Sequence, residues 1–159
     1  MNKLAKLKAM SGNERRLLLQ AWLLLPVVKI LLWLTGYRRT LAKLQRLFLL
    51  NSDNPNVGLV VTYEKQQHAS ALGRLVNMAA NHSPFEITCL PRSLVLWGML
   101  RRAGLAADLL IGVQKEADVF AAHAWVEYRG QAVNEDAMVV VDYSPFAESF
   151  GLPEEGIAP

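Results

Sequence analysis

From Leu17 to Leu34 the chain is apolar except for Gln20, Pro26 and Lys29, and this run limits the possible folds more than any other segment. It approaches the length of a membrane span. A lysine near its centre would cost ~2.5–3.5 kcal/mol at the bilayer midplane, so a buried or surface-lying pair of helical stretches is expected instead. Pro26 would either kink one helix or begin the second, dividing Leu17–Leu25 from Val27–Leu34, and Gly36 would end the region. The run begins inside the chain and ends in Trp-Leu-Thr-Gly-Tyr-Arg-Arg without a small-residue cleavage pattern, which does not match a signal peptide. A cytoplasmic location is expected, where a free thiol also belongs.

Charge divides the chain in the same place. Residues 1–50 hold ten Lys/Arg against Glu14 alone, or +9, while residues 51–159 hold seven against thirteen acids, or −6, which together give the overall +3. The basic half could meet a membrane surface through residues 15–50 or an acidic partner. Nucleic acid is not expected, because the aromatics there are not interleaved as stacking platforms. Arg38–Leu50 sets Leu41, Leu44, Leu47 and Phe48 on one helical face, and Arg39, Lys43 and Arg46 on the other. The turn formers of residues 51–56 then mark a boundary between an N-terminal helical region, 1–50, and a second domain, 51–159.

Within the second domain, Gly58–Tyr63 reads as a short β-branched stretch or a helix start. Gln66–Ala80 has helical spacing through Leu72, Leu75, Val76 and Ala79. Pro91 fits the first turn of a helix running through Leu100, closed by Arg101, Arg102 and Gly104, so Cys89 falls at or just before its N-terminus. Leu109–Val113 and Ala122–Tyr128 read as strands and Gln131–Val141 as the return arm of a hairpin. Residues from Ser144 onward read as a loop or tail. Helices and a hairpin segregated in this order indicate an α+β fold.

Cys89 is the sole cysteine. It cannot form an internal disulfide, and with three histidines it offers none of the paired spacings of a zinc site, so no metal or other cofactor is expected. A lone cysteine is often a small buried hydrophobe. At a helix N-terminus, however, a thiol is drawn toward its thiolate form, and an imidazole in reach would complete a nucleophile–base pair. His123, on a strand with Trp125 and Glu127 on the same face, suits this role better than His68 in a polar helix or His82 in a turn.

The base needs an acceptor to hold its orientation. A three-residue loop over Tyr128–Gly130 would set Glu135 opposite His123, and a two-residue loop at Arg129–Gly130 would set Asp136 there. Arginine resists the positive φ that the shorter loop demands, which favours Glu135 and leaves Asp136 as the alternative acid.

Several stretches resemble the B2 leader peptidases of lasso-peptide biosynthesis: Cys89-Leu-Pro-Arg-Ser-Leu, Met-Leu-Arg-Arg-Ala-Gly-Leu, Leu-Ile-Gly-Val113, His123-Ala-Trp-Val-Glu and Val133-Asn-Glu, with an earlier Glu-Arg-Arg-Leu-Leu-Leu. The resemblance runs through most of residues 15–145. It implies a transglutaminase-like, papain-related cysteine peptidase core in which Cys89, His123 and Glu135 form a triad. Family members commonly carry Asp where this chain has Glu135. The resemblance also implies a precursor peptide as substrate, a separate leader-recognition protein acting in trans, and a lasso cyclase working on the product. Cys89 N–H would donate to the oxyanion, with Gln66 or Gln67 as candidates for a second donor. Two other readings stay open: a transglutaminase-like acyltransferase, and a non-catalytic scaffold docking precursor and cyclase.

Overall fold

The structure, a computed structural model, describes residues 10–49, 62–116 and 119–145. The proposed boundary at residues 51–56, Gly58–Val61 and the tail beyond Pro145 lie outside them. The elements run α1 (Gly12–Leu49), α2 (Thr62–Asn81), α3 (Cys89–Arg102), β1 (Ala107–Glu116), β2 (Val119–Tyr128), β3 (Gln131–Ala132), α4 (Ala137–Val141) and β4 (Ser144–Pro145). The fold is α+β, with one antiparallel sheet in the order β3-β2-β1-β4.

From Leu94 to Leu100 helix α3 is apolar on every side because it lies in the middle. It packs against α1 and α2 and, on another side, against β1 and β2, so Leu94 to Leu100 are buried without interruption. Trp97, Leu94, Leu96 and Leu100 are essentially inaccessible, and each such side chain contributes roughly 1.5–3 kcal/mol through burial. Trp97 still needs a partner for its indole N–H, and it donates to the Ala107 carbonyl at 3.1 Å, tying the end of α3 to the start of β1. Gly104, at φ 75°, makes the turn between them.

Helix α1 starts with a capping box: Ser11 N–H donates to Glu14 Oε2 at 2.7 Å and Glu14 N–H to Ser11 Oγ at 3.2 Å. The Ser11 backbone N–H, with help from its hydroxyl, holds the Glu14 carboxyl below its ordinary pKa. The chain passes through Pro26 in helical form, and Gly36 ends that first helical stretch as expected. At φ 72°, ψ 172° it kinks the chain, and a second helical stretch follows within the range of α1. Thr40 Oγ1 caps the exposed Gly36 carbonyl at 2.8 Å from a buried position.

Ala21, Leu25, Val28, Leu41 and Leu44 of α1 share one buried cluster with Leu72, Val76, Leu94 and Val126. Leu47, expected on the inner face, is instead 61% exposed. Lys29 reaches sideways to donate to the Glu86 carbonyl, and Trp22 Nε1 donates to the His82 carbonyl at 3.2 Å, so both polar groups are spent on the segment joining α2 to α3.

The hairpin differs from its expected form. β2 turns into β3 through Arg129 (φ 55°) and Gly130 (φ 74°), the two-residue connection, with Tyr128 opposite Gln131. The three-residue loop is therefore wrong: Gly130 accepts positive φ freely and Arg129 takes up the strain. The return arm also stops at Ala132, and residues 137–141 are a helical turn instead of a strand. Ser144–Pro145, read as loop, pairs with β1 at Val113 and Gly112.

On the sheet, Asp108 stands directly opposite Glu127. Burial raises the Asp108 pKa above its ordinary value, Arg101 opposes the rise and Glu127 adds to it. The ionised carboxylate therefore penalises the folded state at neutral pH, and the penalty vanishes as pH falls below the unfolded carboxylate's value. Asp108→Asn should raise the melting temperature at pH 7 by about 1–3 °C, as partial desolvation and the cross-strand repulsion from Glu127 are relieved, and by nothing near pH 3.5. Thermal unfolding at the two pH values measures both.

Candidate active site

The site forms where the first turn of α3 meets β2 and the segment leaving β3. Cys89 is the first residue of α3, following Thr88 in extended conformation, and its thiol is free and partly accessible. Amide N–H groups of that first turn have no helical acceptor, so the thiol sits at the positive end of the helix.

Ser93 lies one turn further along the same face of α3, and its Oγ donates to the Ala124 carbonyl at 2.9 Å. The bond fixes the beginning of α3 against β2 beside His123. Asn134 Nδ2 donates to Ser93 Oγ at 3.1 Å, Asn134 Oδ1 accepts Val126 N–H at 2.8 Å, and Asn77 Nδ2 donates to the Asn134 carbonyl at 2.7 Å. One buried asparagine thereby joins α2, α3 and β2, and it immediately precedes Glu135 in the chain. Helix α2 comes close enough to grip this segment only because position 73 is glycine: a Cβ there would fall 1.8 Å from the Val133 carbonyl oxygen.

Glu135 Oε1 lies 3.4 Å from His123 Nε2 and 4.0 Å from Arg92 Nη1. The His123 contact is slightly long and misaligned, leaving Nε2 buried without a true hydrogen bond. Such contacts in a free site tighten when substrate arrives. Arg92 is itself anchored, with Nη2 donating to the Ile87 carbonyl at 3.3 Å, so the carboxylate sits between an imidazole and a guanidinium. With Nε2 turned to the acid, Nδ1 is the ring nitrogen left to serve a thiol.

Aromatic rings fix the imidazole plane. The Trp125 ring lies nearly parallel to His123 with centroids 6.3 Å apart, and Tyr143 lies tilted at 5.2 Å. Gly112, opposite His123 in the ladder, makes room for them, since a Cβ there would come within 2.9 Å of the Trp125 ring and 3.0 Å of Tyr143 Cβ. Trp125 Nε1 donates to Glu127 Oε1 at 2.8 Å, so the apolar-face tryptophan keeps its N–H satisfied.

Of the residues picked out from sequence, Glu135 faces His123. Asp136 does not: its side chain accepts Met138 N–H at 3.0 Å and caps α4. Gln66 and Gln67 line a shallow depression with Glu64, His68, Ser70, Ala71 and Arg74, and neither Cys89, His123 nor Glu135 borders it. His68 is exposed, and His82 is held by the Met78 carbonyl at 2.8 Å. Sequence reasoning missed Arg92, Ser93 and Asn134. A serine four residues after the cysteine, at the head of the apolar run from Leu94, was the available signal for Ser93, while an asparagine before an acid gave none.

A family model described as the Transglutaminase-like superfamily matches residues 31–148, a span that contains Cys89, His123 and Glu135. No curated protein and no solved structure matches the chain at a significant level.

Proposed function

Because the chain belongs to the transglutaminase-like superfamily, which includes cysteine peptidases and acyltransferases, we propose that it is a cysteine peptidase that removes the leader from a ribosomally made lasso-peptide precursor. The observation that carries the reading is the pairing of His123 with Glu135 beside the helix start that bears the sole cysteine. A thiol without chemistry would need neither a carboxylate paired with His123 nor a clamp on that carboxylate's segment.

In this reading the Cys89 thiolate attacks the carbonyl at the leader–core junction. The carbon–nitrogen bond breaks, and His123, protonated at Nδ1, gives its proton to the departing core amine. A water molecule then loses a proton to His123 and attacks the thioester, releasing the leader as a carboxylate and restoring the thiol. Glu135 holds the ring with Nε2 turned away from the thiol and stabilises the imidazolium, while Cys89 N–H donates to the oxyanion. A separate leader-recognition protein would present the precursor, and a lasso cyclase would take the core with its new α-amine.

The test is turnover of precursor peptide, with and without a recognition protein, followed by mass spectrometry. Hydrolysis adds one water across the scissile bond; an amide-exchange product would assign the chain to the acyltransferases instead. Glu135→Gln should lower kcat by about ten-fold or more, equivalent to ~1.4 kcal/mol in the barrier. Asp136→Asn should leave kcat within about two-fold and alter only the cap of α4, since asparagine caps nearly as well as aspartate. A reversed ranking would remove Glu135 from the site.

A further inference from the structure

Helix α1 is apolar on two opposite faces, and only one of them is covered. Ala21, Leu25 and Val28 are buried in the shared core. On the other side Leu19, Leu23, Val27, Ile30 and Leu34 recur at intervals of three and four residues, and all are more than half exposed; Trp33 beside them is 83% exposed. A helix hydrophobic all round belongs inside a protein or in lipid, and a continuous bare apolar stripe on a soluble surface marks a docking face. An 18-residue stretch within Gly12–Leu47 has mean hydropathy 2.1, yet only 17% of it is buried. Most of the stripe precedes residue 31, ahead of the part of the chain that the family model matches.

We infer that this face lies on an anionic membrane surface, with the stretch of α1 before Gly36 flat in the interface and the remainder of the molecule above it. Charge selects the occupant. Exposed Arg15 and Arg16 precede the stripe, exposed Arg38, Arg39, Lys43 and Arg46 follow it, and Glu14 is the only acid among residues 1–50. Cations at both ends of an apolar face with an exposed tryptophan suit lipid headgroups over an acyl boundary, and repel a second copy bearing the same charges. Crossing is disfavoured by the covered face: to span a bilayer, α1 would have to withdraw Leu25 and Val28 from the core and strip Trp22 and Lys29 from the carbonyls of His82 and Glu86.

The experiment is flotation of the full chain with vesicles of phosphatidylcholine alone and of phosphatidylcholine containing about 30 mol% phosphatidylglycerol. The protein should float with the anionic vesicles at least ten-fold more than with neutral ones. Raising NaCl from roughly 0.05 to 0.5 M should cut binding several-fold. Val27→Glu with Ile30→Glu should abolish flotation without lowering the melting temperature, since both side chains are exposed. Should that double variant be unstable, brominated lipid provides a second readout: it should quench the wild-type tryptophan fluorescence, and Trp33→Phe should remove most of the quenching. Failure of the wild-type protein to float with anionic vesicles would overturn the inference. So would undiminished flotation of a folded double variant, or a wild-type dimer that the double variant dissociates while neither form binds lipid.

Discussion

Cys89→Ala is expected to reduce turnover by ~10³-fold or more while leaving the protein folded. In the proposed mechanism the thiol supplies the bond that forms with the scissile carbonyl. Structurally it contributes little: it is partly exposed at the first position of α3, and among the described residues no hydrogen bond engages its sulfur. Stability should therefore change by no more than about 1 kcal/mol, which denaturant titration can establish beside the peptide assay. Turnover near the wild-type rate would sink the proposed chemistry whatever the fold.

Gly73→Ala should produce the largest loss of stability of any single-methyl addition considered. The new Cβ would sit 1.8 Å from the Val133 carbonyl oxygen and 2.8 Å from its carbon. Both surfaces are backbone, so α2 or the segment after β3 must retreat by about 1 Å or more instead of rotating a side chain aside. Overpacking of this kind costs ~1–3 kcal/mol, and here the cost should lie at the top of that range or above it. Retreat also pulls Asn134 from Ser93, Val126 and Asn77, and with it Glu135 from His123. Turnover of the folded fraction should then fall as well, whereas simple destabilisation would leave it intact. An alanine variant of wild-type stability would contradict the close approach between α2 and this segment.

The same segment shows where sequence patterning stopped being informative. Pro91, the two arginines and Gly104 delimit α3 correctly because caps and breakers act locally. Leu72, Leu75, Val76 and Ala79 face the core as their spacing requires. Strand alternation carried to Val141 through a three-residue loop would set Glu135 opposite His123. The actual loop has two residues, and the ladder gives out after Ala132, so the counting was invalid although the same acid arrives. It arrives because Asn134 substitutes its side-chain oxygen for a backbone carbonyl at Val126 N–H and turns the chain toward α3. Such a substitution leaves no trace in hydrophobic alternation.

Residues 137–141 fail in a complementary way. Ala-Met-Val-Val-Val has strand propensity, but β preference measures fit to a half-buried pleated surface, and none of these residues is buried. Asp136 caps the turn and the local bond wins. In the N-terminal region the spacing identified helices but could not say that two opposite faces would be apolar, one covered and one bare. Which face a helix buries depends on α2 and α3 arriving from far along the chain.

Activation of Cys89 by His123 can be tested before any substrate is identified. Iodoacetamide at neutral pH, followed by intact-mass measurement over time, reports the reactivity of the chain's sole thiol directly. A single carbamidomethyl group should appear on the wild-type protein faster than on the same protein unfolded in denaturant, and about ten-fold or more slowly on a folded His123→Ala variant. Equal alkylation rates for wild-type protein and the His123→Ala variant would contradict it.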